Sequence, residues 1–519
     1  MARDISSLPP EVLTHIFQFL NGGDRLKVSQ VCKKWLQTIN FPELLCDVKI
    51  QFGGEVDEGF KLFSRMTRRF QWFSFCKIVI GNSAIEFLEK YSNQLVTLSF
   101  IDCSGGESQS QSEFKGKKLR CDNLKTLHVL NSDIPSLFAS LPNVTTLTLH
   151  IFFGQSDYFL SELTKCLFKL ERLLLGLDYR LPFKKEPRKR FRLDEEALEK
   201  NKSVFTFSSV ELLIEKNRKT LRDVDFTLYK VTTQFLLRIS EIEGLKLRSM
   251  LFPHKLLSSY IPKFCEMQSS LMHLDLSFLS RDTDFIVSAV CKCLPNLQVL
   301  IIRENPKIDR CIIEVFQLQN LVKLDVSGSR NISECNYQVA VANLKTFKLK
   351  YLNLPFAKIS DGSLFNLLKC NQNIRHLDAS GIRVSNETLN MICQKLTLLK
   401  CLILKSCPTI SDSGLTGELE NYSDSLTATP LFNLKYLTEL NLSQNNLITN
   451  QGCIKAIRFR KLANLSLIAC RGLNLNDDFE IELKKQNPCL RNIKVKCKLM
   501  DLLPFTSKFC FCMSSEFTK

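Results

Sequence analysis

The stretch that decides the fold runs from Ile374 to Leu415 and reads IRHLDASGIRVSNETLNMICQKLTLLKCLILKSCPTISDSGL. One pattern occurs in it twice, an apolar residue followed by apolar residues three and five positions later: Ile374-Leu377-Ala379 and Leu399-Leu402-Leu404. Alternation of this kind is typical of a short strand with one buried face. Polar residues that can cap a helix come next, and then apolar residues at helical spacing. Each copy therefore predicts a strand, a turn and a helix.

The same pattern recurs through the second half of the chain. Its first residues are Leu271, Leu297, Leu321, Leu349, Ile374, Leu399, Leu437, Leu462 and Leu490. The successive spacings are 26, 24, 28, 25, 25, 38, 25 and 28 residues, and a period of this length is typical of leucine-rich repeats. A residue eight positions after the first apolar one is Cys407, Cys470, Asn305 or Asn445 in four of the copies. This part of the chain resembles the cysteine-containing leucine-rich repeats, in which that residue points inward and satisfies the turn.

The first half of the chain is less regular. Candidate strands begin at Leu45, Phe75, Leu95, Leu124, Val144, Leu170, Leu221 and Ile242. Three stretches interrupt the period, and we interpret residues 104–118, 177–204 and 416–430 as insertions. The second of these carries a basic block, Lys184, Lys185, Arg188, Lys189, Arg190 and Arg192. We predict about seventeen strands in a repeat domain over residues 46–498, followed by a tail or cap at 499–519.

Repeats of this kind cannot bury their apolar faces singly, so they stack into a curved solenoid of class α/β. Parallel strands line the concave side and helices cover the convex side. The variable strand positions, such as His273, Asp275, Lys323 and Lys496, then face solvent and form a protein-binding surface. As candidate substrate-binding residues we select Asp325, Lys350, Asn353, Glu439, Asn441 and Lys494.

Residues 1–45 have a different pattern. Pro9 and Pro10 suit the first positions of a helix, and Val12, Leu13, Ile16, Phe17 and Leu20 form one apolar helical face. We expect Asn21-Gly22-Gly23 to end that helix and Asp24 to cap a second one, which extends from Val28 to Ile39 before Pro42. Two short apolar helices cannot be stable alone, so they need a partner. The alternative interpretation is a helical cap on the repeat domain.

The segment from Ile5 to Cys46 resembles the F-box. The similarity rests on Leu-Pro-x-Glu-Val-Leu-x-x-Ile-Phe-x-x-Leu from Leu8, and then on Val31-Cys32-x-x-Trp35. One departure is the turn Asn21-Gly22-Gly23-Asp24-Arg25-Leu26, which stands in place of a shorter Asp-Leu turn and could loosen the junction. The resemblance implies a small all-helical domain that binds a Skp-family adaptor. It places these residues at motif positions: Leu8, Pro9, Val12, Leu13, Ile16, Phe17, Leu20, Leu26, Val31, Cys32 and Trp35. Pro9 is our first choice for an adaptor contact, and Trp35 for a structural role.

Composition and motifs do not favour an enzyme. The net charge is +17, which favours acidic partners and permits contact with nucleic acid, although we rank the latter low. The 21 cysteines show no Cys-x-x-Cys pair, and the sequence has no phosphate loop, Gly-x-Ser-x-Gly elbow or His-Glu-x-x-His motif. We therefore expect no catalytic residue, no metal and no cofactor. Cys401 at a variable strand position is a candidate exposed thiol.

An F-box followed by leucine-rich repeats is similar throughout to the F-box/leucine-rich-repeat family. The resemblance implies the substrate-recognition subunit of a Skp–cullin–F-box ubiquitin ligase, without catalysis of its own. Its partners would be the adaptor, the cullin and RING subunits through it, and an unknown substrate protein. We expect a soluble cytoplasmic or nuclear protein that does not enter a membrane. Two alternatives remain open, a repeat scaffold that does not deliver ubiquitin and a nucleic-acid-associated protein that uses the basic block. The apolar tail is expected to cover the last repeat or to fold over the concave face.

Overall fold

The computed structural model divides the chain into two compact units, residues 1–273 and 274–519. The described residues are 5–54, 56–66, 68–105, 118–132, 134, 137–150, 157–176, 207–226, 232–252, 260–279, 282–344, 348–418, 428–474 and 477–494. The predicted insertion at 177–204, with its basic block, and the predicted tail at 499–519 lie outside these ranges. So do Lys496 and most of the other two predicted insertions.

The first unit begins with short helices and continues as a parallel sheet with helices between the strands. Its helices are α1 (Pro10–Phe17), α2 (Gly22–Val28), α3 (Lys33–Ile39), α4 (Pro42–Leu45), α5 (Val56–Ser64), α6 (Asn82–Tyr91), α7 (Asp157–Cys166), α8 (Phe207–Lys216), α9 (Thr233–Ser240) and α10 (Ile261–Met267). Its main strands are β1 (Lys49–Gly53), β2 (Trp72–Cys76), β4 (Thr97–Ile101), β7 (Thr126–Leu130), β9 (Thr146–His150), β10 (Arg172–Gly176), β11 (Asp223–Asp225) and β12 (Ser249–Leu251), paired in that order. Two small parallel pairs join β3 (Val79–Ile80) to β5 (Ser104–Gly105) and β6 (Leu119–Arg120) to β8 (Phe138–Ser140). The strand β5 contains Ser104 and Gly105, the first two residues of the predicted insertion at 104–118.

The second unit repeats one strand and one helix with greater regularity. After β13 (His273–Asp275), at the unit boundary, its strands are β14 (Val299–Ile301), β15 (Lys323–Asp325), β16 (Tyr351–Asn353), β17 (His376–Asp378), β18 (Cys401–Ile403), β19 (Glu439–Asn441), β20 (Asn464–Ser466) and β21 (Asn492–Lys494). Strands β14 to β21 pair in chain order, all parallel. The helices are α11 (Thr283–Cys293), α12 (Ile312–Val315), α13 (Glu334–Ala342), α14 (Asp361–Lys369), α15 (Asn386–Lys395), α16 (Asp412–Thr416), α17 (Asn450–Ala456) and α18 (Asp477–Gln486). The predicted α/β class and the helical N-terminal region followed by parallel leucine-rich repeats are confirmed.

The apolar residues that define each repeat form its core. In the repeat that starts at Leu399, the residues Leu399, Leu402 and Leu404 are completely buried. The strand occupies the second to fourth positions after the first apolar residue, so its middle residue points into the core and its outer two point to the opposite face of the sheet. This opposite face, made by the outer two residues of each strand, is called the strand face below.

Wherever the described residues include it, the residue seven positions after the first apolar residue of a repeat is left-handed. Nine of the ten non-glycine residues with positive φ in the described part of the chain stand there, among them Glu304, Phe356 and Ala469, and so do Gly328 and Gly381. A left-handed residue other than glycine costs about 1–2 kcal/mol, so the neighbouring contacts must offset this cost.

The next residue in the turn supplies some of those contacts, as the sequence predicted. The Sγ of Cys407 donates to Ala379 O at 3.4 Å, and that of Cys470 donates to Leu442 O at 3.2 Å. The Nδ2 atoms of Asn305 and Asn445 donate at 2.8 Å to Leu276 O and Leu404 O. Each side chain therefore satisfies a buried carbonyl of the preceding repeat, and the predicted inward role is confirmed.

Polar side chains at the helix starts link successive repeats. Ser360 and Ser385 cap α14 and α15 by accepting from Ser363 N at 3.2 Å and Thr388 N at 3.0 Å. The carboxylate of Asp361, directly after Ser360, also accepts from Ser385 N at 2.8 Å and Ser385 Oγ at 2.6 Å. Asp412 accepts from the backbone N and Oγ1 of Thr449 in the same way. The predicted caps are confirmed at Ser360, Ser385 and Thr449 but not at Ser411, whose side chain makes no cap hydrogen bond. Asp361 and Asp412 extend the caps into a ladder of charge-assisted hydrogen bonds between repeats.

Three predicted strand positions in the first half were wrong. Leu45 ends α4, and β1 pairs with β2 two residues out of the register that a repeat start at Leu45 predicts. The strand expected from Phe75 is β2, whose repeat begins at Phe70, and the strand expected from Ile242 is β12, whose repeat begins at Leu247. In these last two cases the buried triplet lies five residues from the predicted one, namely Phe70-Phe73-Phe75 and Leu247-Met250-Phe252. The corrected starts restore spacings of 25 residues from Phe70 to Leu95 and 26 from Leu221 to Leu247.

Candidate binding surfaces: the N-terminal helices and the strand face

The N-terminal helices pack around a small core of their own. Leu13, Phe17, Ile39 and Leu44 are buried, and Leu8, Ile16, Leu20, Val28 and Trp35 pack against them while half-buried. The ring of Phe17 meets the edge of Trp35 with their centroids 5.3 Å apart. Four helices, α1 to α4, form this domain rather than the two that the sequence predicted.

The turn that was expected to loosen this domain instead anchors it. Asn21 does not end the first helix but caps α2, because its Oδ1 accepts from Asp24 N at 2.9 Å. The side chain of Arg25 is almost completely buried, and it donates to Phe17 O at 3.0 Å and Leu44 O at 2.8 Å. Its guanidinium also forms an ion pair with Asp47. Arg25 thus ties the ends of α1 and α4 together, a role that no local sequence signal indicated.

The eleven predicted adaptor-binding residues separate into three groups. Leu13 and Phe17 are buried; Leu8, Ile16, Leu20, Cys32 and Trp35 are half-buried; Pro9, Val12, Leu26 and Val31 are exposed. Exposed apolar side chains of this size in so small a domain mark a surface that a partner can cover. Val12, Leu26 and Val31 are 43%, 53% and 60% exposed. The adaptor-binding role of the eleven residues stays a prediction.

Other exposed apolar residues of the same domain were not selected from the sequence. Phe19 is 80% exposed, with only the edge of His15 against its ring at 5.4 Å between centroids. Leu36 and Phe41 are also exposed. Phe19 does not fit the apolar spacing of α1, so the sequence places it off the buried face of that helix. This signal could have identified Phe19 as an exposed apolar residue. We call Val12, Phe19, Leu26 and Val31 the exposed apolar set.

The six substrate-binding candidates do not all face solvent. Asn353, Glu439, Asn441 and Lys494 occupy outer strand positions and are exposed or half-buried, whereas Lys350 is exposed but precedes its strand. Asp325 is completely buried, so its predicted solvent exposure was wrong. The strand face is therefore partly closed by its own side chains.

Asp325 can be buried because its neighbours donate hydrogen bonds to its carboxylate. Arg303 donates to it through Nε and Nη2, each at 2.7 Å, and Asn353 Nδ2 donates at 3.1 Å. The backbone N of Ser327 donates to its Oδ1 at 3.1 Å. Burial opposes the charge, but the guanidinium of Arg303 and these hydrogen bonds outweigh it and hold the pKa of Asp325 below its usual range. The carboxylate stays ionised as part of the strand face.

Three adjacent outer strand residues stack beside this pair. The Nζ of Lys323 lies 4.5 Å from the ring centroid of Tyr351, and the rings of Tyr351 and His376 are parallel with centroids 4.0 Å apart. Burial, and then the nearby Lys323, lower the pKa of His376 to about 4. His376 is therefore neutral near pH 7, and the cations Arg303 and Lys323 share this part of the strand face with the carboxyl groups of Asp275, Asp325 and Asp378.

Cys401 is not an exposed thiol, contrary to the sequence-based expectation. Its side chain is buried in β18, and burial together with the neighbouring Glu439 raises the pKa of the thiol above its ordinary value. A protonated, buried thiol is a poor nucleophile. Among the described residues, no group of three or more His, Cys, Asp or Glu side chains is arranged to hold a metal ion. None of the described helices has the length and hydropathy needed to cross a bilayer.

Two family models match the chain. A model described as F-box-like matches residues 5–45, and a model described as Zer-1-like leucine-rich repeats matches residues 262–373. The chain thus combines an F-box-like domain with leucine-rich repeats, an architecture typical of non-catalytic adaptor proteins.

Three solved structures are similar to the chain. The Rad7 and Elc1 complex in yeast shares 16% identity over 70% of this chain and 80% of that chain, with a TM-score of 0.43. The complex of TLR13 with ssRNA13 shares 15% over 84% of this chain and 69% of that chain, with a TM-score of 0.41. An internalin, InlF, from Listeria monocytogenes shares 16% identity over 88% of this chain and 93% of that chain, with a TM-score of 0.32.

Proposed function

We propose that this chain is the substrate-recognition subunit of a ubiquitin ligase of the Skp–cullin–F-box type. The observation that carries the proposal is the F-box-like domain at residues 5–45 placed ahead of leucine-rich repeats in one chain. In this function the F-box-like domain binds a Skp-family adaptor, which connects it to cullin and RING subunits in the cytoplasm or nucleus. The repeats bind the substrate protein.

The exposed apolar set supports the first half of the proposal. Val12, Phe19, Leu26 and Val31 are too exposed to stabilise the domain, whose core is made by Leu13, Phe17, Ile39 and Leu44. Covering a large apolar side chain on binding contributes about 1.5–3 kcal/mol. A partner that buries several of the four would therefore gain a substantial part of its binding energy here, as hot-spot residues do.

The strand face supports the second half. Its outer strand positions in the second unit carry Asn353, Glu439, Asn441 and Lys494 beside the stacked Lys323, Tyr351 and His376. Polar and aromatic residues in this arrangement suit recognition of a protein surface. The chain contributes proximity rather than bond-making: it raises the local concentration of a substrate lysine near a ubiquitin-charged enzyme.

Affinity purification of the full chain from cells, with mass spectrometry of the bound proteins, tests this function. We expect a Skp-family adaptor and a cullin to co-purify. A Val12→Ser, Leu26→Ser double variant removes two exposed apolar contacts without touching the core, and both partners should be lost. Leu62→Ser is the matched control, because Leu62 is 61% exposed on α5, outside the F-box-like domain.

The other outcomes separate the alternatives. Adaptor without cullin would identify a scaffold that does not deliver ubiquitin. Absence of both partners from the wild-type sample, or equal loss in the Leu62→Ser sample, would contradict the proposed function. In that case the N-terminal helices would be a cap of the repeat domain.

A further inference from the structure

The edge of the second unit where its strands begin is unusually basic. Six successive connections, residues 343–350, 370–375, 396–400, 417–438, 457–463 and 487–491, lead from a helix into strands β16 to β21. Their described residues include nine lysines and arginines and a single acid, Glu418, directly after α16. The two preceding connections, 294–298 and 317–322, carry no charge at all. We call residues of the six connections the basic edge.

Three cations of the basic edge form a row, whereas Lys348, Arg458 and Lys461 contact Asn320, Ile454 O and the Tyr436 ring. Lys350, Arg375 and Lys400 occupy the same position in three adjacent repeats, one residue before each strand, and all three are exposed. Within the described ranges no carboxylate lies within ion-pair distance of any cation on this edge. An acid also borders it, since Glu439 begins β19.

Stabilisation of helix ends does not account for the basic edge. Cations in the last turn of a helix interact favourably with its carbonyl end, and Lys369 and Lys395 end α14 and α15 in this way. That effect falls off within one turn. Lys350, Arg375 and Lys400 stand beyond it, at the entry to the strands, and so do Lys435 and Lys461. Lys461 contacts the ring of Tyr436, with its Nζ 4.8 Å from the centroid, whereas helix-end stabilisation explains none of the other four.

The density of charge identifies the ligand class. Strands β16 to β21 are consecutive neighbours, so five spacings of about 4.8 Å give the edge a length of about 24 Å. Nine cations over that length correspond to about one per 2.7 Å, which is still denser than the charge of an acidic polypeptide. A nucleic-acid duplex carries one charge per about 1.7 Å, whereas an acidic polypeptide carries at most one per about 3.3 Å. Protein interfaces are also depleted in lysine, which makes up most of this set.

We propose that the basic edge binds the phosphate backbone of nucleic acid, a property beyond the proposed ligase function. The basic edge is distinct from the strand face, so a substrate protein and a nucleic acid can be bound at the same time. Contact with phosphates through lysine and arginine is independent of base sequence and strongly dependent on salt. This site differs from the block at 184–192, which lies outside the described residues.

Fluorescence anisotropy of a labelled 20-base-pair DNA duplex against the full chain, from 50 to 200 mM salt, tests the proposal. The variant is Lys350→Gln, Arg375→Gln, Lys400→Gln. The matched control is Lys358→Gln, Arg383→Gln, Arg471→Gln, which removes three exposed cations from the connections that leave the strands. Each lost phosphate contact lowers the slope of log affinity against log salt by about 0.9. We expect a slope smaller by about 2 to 3, and affinity at 0.1 M salt weaker by roughly 100-fold or more, in the variant alone.

Single-stranded RNA and polyglutamate, labelled in the same way, distinguish the sources of negative charge. Binding of RNA that is lost in the same variant supports a phosphate site, with the slope per contact reduced to about 0.7 for a single strand. Polyglutamate that binds as tightly as the duplex and depends on the same three residues would overturn the nucleic-acid assignment. If the variant and the control lose duplex binding equally, or if both keep it, the basic edge is not the binding site.

Discussion

Replacing Gly381 by alanine should destabilise the repeat domain by about 3 kcal/mol, within a range of about 1–5 kcal/mol. Gly381 has φ +73°, and a Cβ built on it would lie 2.2 Å from Cδ1 of the Phe356 ring. The left-handed conformation costs an alanine about 1–2 kcal/mol, and moving the ring adds about 1–3 kcal/mol. The smaller conformational entropy of the unfolded alanine chain returns about 0.4–1 kcal/mol. The ring of Phe356 is 37% exposed, and moving it would cost its contact with the guanidinium of Arg330, whose carbon lies 5.0 Å from the ring centroid.

Urea unfolding of the full chain, followed by circular dichroism, measures this loss. If the free energy of unfolding falls by about 3 kcal/mol per molar of urea, the urea concentration at the midpoint of unfolding should fall by about 1 M. Gly362→Ala is the matched control: Gly362 lies in the first turn of α14 with open space where the Cβ would be. There the same substitution should stabilise the protein by about 0.5–1 kcal/mol. Equal midpoints for the two variants would refute the role assigned to the left-handed turn.

Three further changes test other parts of the structure. Arg25→Met should destabilise the F-box-like domain by about 2–4 kcal/mol, since Phe17 O and Leu44 O lose their buried donor. Hydrogen exchange of the amides of α1 to α4 should then accelerate. Unchanged protection of these amides would contradict the role of Arg25. Asp361→Ala removes two hydrogen bonds from Ser385 and should lower the free energy of unfolding, measured in urea, by about 2–3 kcal/mol. A loss below about 0.5 kcal/mol, on the order of a neutral surface substitution, would contradict a stabilising role of the hydrogen-bond ladder. His376 has a pKa of about 4 in the folded chain and about 6.5 when unfolded, so the unfolded state takes up its proton first as pH falls. The free energy of unfolding should therefore decrease between pH 6.5 and 4 by at most about 3 kcal/mol, and His376→Gln should make this pH dependence flatter. Identical pH profiles of stability for the variant and the wild type would contradict the lowered pKa of His376.

The sequence predicted the second unit well because each repeat carries its own signals. Leu399-Leu402-Leu404 fixes a strand, Cys407 the turn and Ser411 the start of the next helix, all within a few residues. The first unit was harder, since Phe75-Ile78-Ile80 and Ile242-Leu245-Leu247 imitate the apolar pattern by chance. Only the period of about 25 residues distinguishes them from the true triplets at Phe70 and Leu247.

Other features depend on contacts between residues distant in the chain. Asp325 stands at a variable strand position, and nothing in its own repeat indicates that Arg303 and Asn353 of the neighbouring strands will bury it. Arg25 is likewise separated by 22 residues from Asp47. Asn21-Gly22-Gly23 resembles a helix stop because glycine and asparagine also end helices. The same residues start α2, since Asn21 caps it.

The measurement that tests the central claim most directly is titration calorimetry of the purified chain with a purified Skp-family adaptor. The account predicts a one-to-one complex, and a Val12→Asp, Leu26→Asp variant that keeps its circular dichroism spectrum but loses the binding heat, because charged groups would be forced against an apolar partner. A wild-type chain that releases no heat with the adaptor, or a variant that binds as tightly as the wild type, would contradict it.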